Sequence, residues 1–140
     1  MQLKQLAASG VLAIAVVGLS ACSGADYGIA ALERDATSED QLPAFVSDEG
    51  VNVESTRKVA EQDGVSYFIG TMADREGFCA YSVVEDDFIG GCGTASGKVV
   101  TVYPAAGSDL PQMTLVTDSY SGDDLERDGW SPVHENLMIR

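Results

Sequence analysis

The chain has 140 residues, with 22 acidic side chains against eight basic ones and a formal net charge of −14. That length allows one small domain, and an apolar share of 45% excludes a wholly disordered acidic tail. The shortage of Lys and Arg argues against nucleic acid as a partner, because binding it requires cations that displace phosphate counterions.

One cation, Lys4, precedes an apolar run over residues 6–21 that only small residues interrupt. A charged start, a short apolar stretch and a small-residue exit form the layout of a secretory signal peptide. The run is 16 residues long, short of the roughly 18–20 that a spanning helix needs. Its exit, Leu19-Ser20-Ala21-Cys22, resembles the lipobox of bacterial lipoproteins, in which a leucine and two small residues precede an obligatory cysteine. The resemblance implies cleavage before Cys22 and a diacylglyceryl group on its sulfur, the thiolate being the nucleophile that accepts the lipid. It sets off a signal peptide over 1–21 and a lipid attachment and short tether over 22–26, and leaves 27–140 as a single small domain that the pattern below reads as β-rich. The location it implies is the extracytoplasmic face of the cell membrane, held through diacylglyceryl-Cys22, with an envelope protein as a candidate partner. Without Lys4 the chain keeps seven basic and 22 acidic side chains, a net charge of −15. Anionic headgroups repel such a body, so lipid rather than a basic patch would hold it to the bilayer.

Past the tether, Ile29 and Leu32 stand three apart among helix formers, which predicts a helix of two or three turns over 27–35. Residues 37–40 then form a polar turn, and Pro43 stops any continuation. From Arg57 the period changes to two. Strands are expected over 57–61, 65–71, 78–84, 87–92, 98–103 and 113–117, rich in Val, Tyr, Phe and Thr and bounded by Gly, Asp or Pro. Asp63-Gly64 is a two-residue hairpin signal. Val133, Leu137 and Ile139 supply a last strand, with Trp130 as a core plug. The expected fold is mainly β (α+β): a short N-terminal helix, then an antiparallel β-meander of about six to seven strands with one disulfide.

With Cys22 committed to lipid, Cys79 and Cys92 remain, thirteen positions apart. Two thiols leave a zinc site incomplete, and the spacing excludes a Cys-x-x-Cys redox pair, so an exported chain would join them as a disulfide. A two-residue turn at Glu85-Asp86 sets the register: Val83 faces Phe88, Tyr81 faces Gly90 and Cys79 faces Cys92, all on one face. The order Ile29-Ala-Ala-Leu-Glu-Arg34, Asp40-Gln-Leu-Pro43, Arg57, Tyr67, Cys79, Cys92 resembles small uncharacterised secreted and lipid-anchored proteins of high-GC Gram-positive bacteria. That resemblance implies a domain of this shape at the cell surface and no activity.

Four constellations bear on chemistry. Asp124, Glu126, Asp128, Gly129 and Glu135 fall at positions one, three, five, six and twelve of a segment resembling an EF-hand calcium loop. Glu126 at the third position, Ser131 at the eighth and Pro132 depart from that pattern. Glu39-Asp40 and Glu85-Asp86-Asp87 are acidic knots that serve as turns unless they converge across a cleft. His134 is the only imidazole, with no Gly-x-Ser-x-Gly elbow in the chain. Gly90-Gly91-Cys92-Gly93 has no following helix to bind a phosphate. The aromatics Tyr67, Phe68, Phe78, Tyr81, Phe88, Tyr103 and Trp130 are core candidates. No catalytic, cofactor or metal residues are assigned. The expected function is a non-enzymatic binding or envelope-associated module. The alternatives are a small-ligand or divalent-cation carrier using the acidic C-terminal loop, and a hydrolase using His134.

Overall fold

The computed structural model describes residues 28–140. The proposed signal peptide, Cys22 and the tether therefore lie outside the described residues. Among the described residues, eight strands form two antiparallel sheets. The first is a meander of β1 (Arg57–Gln62), β2 (Val65–Thr71), β3 (Phe78–Val83) and β4 (Phe88–Gly93). The second contains β5 (Lys98–Val102), β6 (Met113–Val116), β7 (Ser131–His134) and β8 (Leu137–Ile139), in the order β5-β6-β8-β7. A five-residue helix, α1 (Asp123–Arg127), joins β6 to β7.

The β-rich class and the first four strands agree with the sequence expectation. The two-residue turns do what their residues allow. Asp63 and Gly64 take φ of 53° and 80°, the left-handed pair of a type I′ hairpin. At the next turn Val84 N–H donates to the Asp87 carbonyl at 2.9 Å. That sets Val83 against Phe88, Tyr81 against Gly90 and Cys79 against Cys92, and the two cysteines are joined as a disulfide. Closing so short a loop restricts the unfolded chain and contributes about 3 kcal/mol.

Three expectations are corrected. The 27–35 helix shrinks to one 3-10 turn over Ala30–Leu32, because tertiary contacts take its residues in other directions. Ile29 enters the core, Ala30 N–H donates to Asp118 Oδ2 at 2.8 Å, and Arg34 reaches Asp40. The single meander divides into two sheets. Finally, the last strand is a hairpin: β8 inserts between β6 and β7, leaving β7, with its Pro132, at the sheet edge, where a missing N–H is tolerated.

The sheets share one core. Tyr67, Ile69 and Ala80 from the first meet Val99, Met113, Leu115 and Leu137 from the second. The Ser82 hydroxyl lies 3.2 Å from the Met113 sulfur across the gap. Edge strand β4 runs beside β5, and β1 beside β7. The layers thus approach on both sides while remaining two separate ladders.

Glycines make the β4–β5 approach possible. A Cβ on Gly91 would stand 2.9 Å from a Val102 methyl, and one on Gly93 would collide with the Val99 carbonyl oxygen. On the opposite face of β4, a Cβ on Gly90 would run into the Tyr81 ring. We expect Gly93→Ala to destabilise by about 1–3 kcal/mol, since backbone cannot yield as a side chain can. Gly28→Ala, which meets open space, should be near neutral. Urea midpoints of the two variants check this.

Candidate functional site

Both faces of the first sheet are apolar, so something other than the second sheet must cover its outer face. Phe68, Cys79, Tyr81 and Val83 point outward there. Residues 41–53 lie over them, with Val46 and Val51 buried and Leu42 half-buried against the same cluster. The disulfide is part of this floor: Cys79 is fully buried, and its sulfur lies 3.8 Å from the Gly50 carbonyl oxygen.

One carboxylate holds this covering segment in place. Asp40 is 3% exposed, and it is the only buried acid among the described residues. Arg34 grips it with two nitrogens, at 2.7 Å to Oδ2 and 2.6 Å to Oδ1. Oδ2 also accepts the Thr37 backbone N–H at 2.7 Å and the Thr37 hydroxyl at 3.1 Å. Oδ1 accepts the Lys58 N–H of β1 at 2.8 Å. The Thr56 hydroxyl lies 2.8 Å from the Asp40 carbonyl oxygen. Arg57, also buried, donates to the carbonyls of Arg34, Glu54 and Thr56. Bidentate Arg34, with the backbone and hydroxyl donors, holds the Asp40 carboxyl far below the usual carboxylate range against the opposing effect of burial.

The outer surface of the covering segment is an open groove of about 510 Å³. Leu42, Pro43, Val46 and Val53 supply its apolar lining, and Asp48 and Glu54 its free carboxylates. Among the described residues neither carboxylate has a hydrogen-bond or ion-pair partner, and no Lys or Arg lines the groove. Tyr81 lies beneath, its hydroxyl pKa raised by burial and then by the Asp48 charge. With its lone pairs met by five donor contacts and its pKa held low, Asp40 suits architecture rather than proton transfer, which needs a group that titrates near the working pH.

The sequence-derived candidates fall elsewhere. Asp124 pairs with Arg127 within α1. The EF-hand-like glycine closes a helix instead of a cation loop. At φ 91°, Gly129 ends α1 in a Schellman motif. Trp130 N–H donates to the Leu125 carbonyl at 3.0 Å, Gly129 N–H to the Glu126 carbonyl at 3.1 Å, and Trp130 packs with Leu125. Carboxylates at alternate positions thus surround a helix end. Among the described residues no three His, Cys, Asp or Glu side chains gather as a cation site. His134 sits on β7, its Nδ1 accepting the Asn136 N–H at 3.2 Å. No hydrogen bond or ion pair among the described residues joins it to Glu85, Asp86, Asp87 or the acids of α1. Asp87 accepts from Ser108 and from its neighbour Phe88. Of the core aromatics, Tyr67, Phe68, Tyr81 and Trp130 are buried, whereas Tyr103 is 66% exposed.

Sequence reasoning reads Glu39-Asp40 as a solvated turn and misses the hub. The available signal is Thr37-Ser-Glu-Asp40, the spacing of a capping box.

No protein-family model, curated protein or solved structure matches the chain. No helix among the described residues is long and apolar enough to cross a membrane.

Asp40→Ala should destabilise by about 2–4 kcal/mol, because it leaves the Thr37 and Lys58 backbone donors unmet and removes the bidentate pair with Arg34. The Asp40 pKa is depressed on folding, so its contribution is complete above the unfolded value of about 3.9 and is lost as pH falls below that. Asp40→Asn should therefore flatten the loss of stability on acidification below about pH 4, as measured by urea unfolding across pH.

Proposed function

We propose that this chain is a lipid-anchored extracytoplasmic lipoprotein whose small β domain works by binding, not by catalysis. The observation that carries the proposal is Leu19-Ser20-Ala21-Cys22 directly after Lys4 and the apolar run. In support, Cys79 and Cys92 are joined as a disulfide, a bond that persists in oxidising compartments. The groove adds a concave surface with an apolar lining and unpaired charge, features that suit recognition.

Six residues lead from Cys22 to Gly28, a length that spans at most about 20 Å when fully extended. An acylated Cys22 would keep the domain close to the headgroups. The net negative charge of the body would then oppose flat contact with an anionic surface.

Metabolic labelling with an alkyne fatty acid in a bacterial host, followed by detergent phase partition, tests the anchor. The wild-type chain should take up label and enter the detergent phase, and its mature N-terminal peptide should begin at acylated Cys22. Cys22→Ser should lose the label and partition into water. Equal labelling of the two, or an unmodified wild-type N-terminus, would overturn the reading.

A further inference from the structure

We infer that the groove over the outer face of the first sheet is a docking site for a basic, apolar-flanked segment of a partner polypeptide, which places an arginine or lysine between Asp48 and Glu54. This rests on the reading of the domain as a binding module and gives the partner a chemistry.

Three observations lead to it. The first is shape: about 510 Å³ of open groove is lined by Leu42, Pro43, Val46 and Val53, a surface that accepts the methylene stem of a long side chain. The second is charge. Among the described residues the Asp48 and Glu54 side chains have no hydrogen-bond or ion-pair partner. The two guanidiniums bonded to groove-wall residues are already engaged, Arg34 by Asp40 and Arg57 by the carbonyls of Arg34, Glu54 and Thr56. A second hollow, of about 390 Å³, has both Arg75 and Glu76 in its wall and so carries no such bias. A cation entering the first groove meets two unneutralised carboxylates within a chain of net charge −14; such complementarity selects partners and speeds encounter.

The third is preorganisation. Asp40 forms part of the groove wall and is itself held by five donor contacts, so binding need not order the wall. A polypeptide fits better than a free amine because Phe45 and Val53 stand 46% and 47% exposed on the same segment. Val53, which lines the groove, extends the apolar contact beyond what a small amine covers. Phe45 also leans on Phe88, with ring centroids 6.3 Å apart, and so is held outward in place.

The proposal is tested by titrating the full-length, isotope-labelled chain in a non-ionic detergent and following its amide chemical shifts. The probe is a capped pentapeptide in which arginine alternates with leucine. Shifts should concentrate in residues 41–54, and raising salt from about 50 to about 300 mM should weaken binding. Asp48→Asn combined with Glu54→Gln should raise Kd about tenfold, whereas Asp109→Asn with Glu126→Gln, which removes the same charge elsewhere, should change it less than about twofold. Val53→Ser should weaken the leucine-containing peptide more than one with glycine in place of leucine. All these side chains are exposed, so the variants keep the fold, and a dispersed spectrum verifies that.

Shifts scattered over the acidic surface, equal weakening by the two charge pairs, or binding by a peptide with glutamate for arginine would overturn the inference. Spermidine binding as tightly as the peptide would overturn the polypeptide as its source. Failure of Cys22 acylation would leave this titration unchanged, so the two proposals can fail separately.

Discussion

The Asp40 carboxylate joins parts of the chain that lie far apart in sequence. It takes donors from Arg34, from Thr37 and from the backbone of β1 at Lys58, and in doing so anchors the segment that covers the first sheet. Upstream, the same stretch is tied to the second sheet. Gly28 and Ala30 bond to Asp118, and Asp118 accepts the Asn136 side chain at 2.8 Å. Residues 28–58 therefore act as a strap that touches both layers. A charged group this deeply buried persists because its lone pairs are met, and removal of one partner would leave the others stranded.

The strap answers a problem created by the strands. Phe68, Tyr81 and Val83 on one face of the first sheet are as apolar as Tyr67, Ile69 and Ala80 on the other. A sheet of this kind must be covered twice. The second sheet takes one face and the strap takes the other, while the second sheet's own outer face is covered by Leu125 and Trp130. The disulfide lies where the strap meets the first sheet, so it braces the covering layer as well as the β3–β4 hairpin.

Charge distribution then shapes what the surface can do. Few cations are free to offset the acids: Arg34, Lys58 and Arg127 are in ion pairs, Arg57 is turned onto carbonyls, and Arg140 stacks 5.5 Å from the Trp130 ring centroid. Most carboxylates face solvent and keep the body soluble and repelled from anionic surfaces. Asp48 and Glu54 share a groove with an apolar lining of Leu42, Pro43, Val46 and Val53.

Local chemistry made much of the first sheet legible. Period-two Val, Tyr and Phe marked the strands, Asp63-Gly64 marked a turn, and the two-residue turn at Glu85-Asp86 made the pairing of Cys79 with Cys92 a matter of counting. These features depend on neighbours in sequence, and neighbours are what a sequence displays. The hub, the groove and the division into two sheets were not legible, since each depends on residues far apart in the chain. Asp40 reads as a turn acid until Lys58 and Arg34 arrive, and the helical spacing of Ile29 and Leu32 yields to a core position and to Asp118. The Asp124–Glu135 pattern resembles a cation loop in its spacing, but Leu125 and Trp130 bury together and claim Gly129 for a helix end. Composition and local pattern alone determined the β-rich class, the disulfide and the acidic surface. Which acid is buried, which carboxylates stay unpaired and which glycines admit a neighbouring strand were decided by tertiary packing, because burial and desolvation belong to the assembled chain.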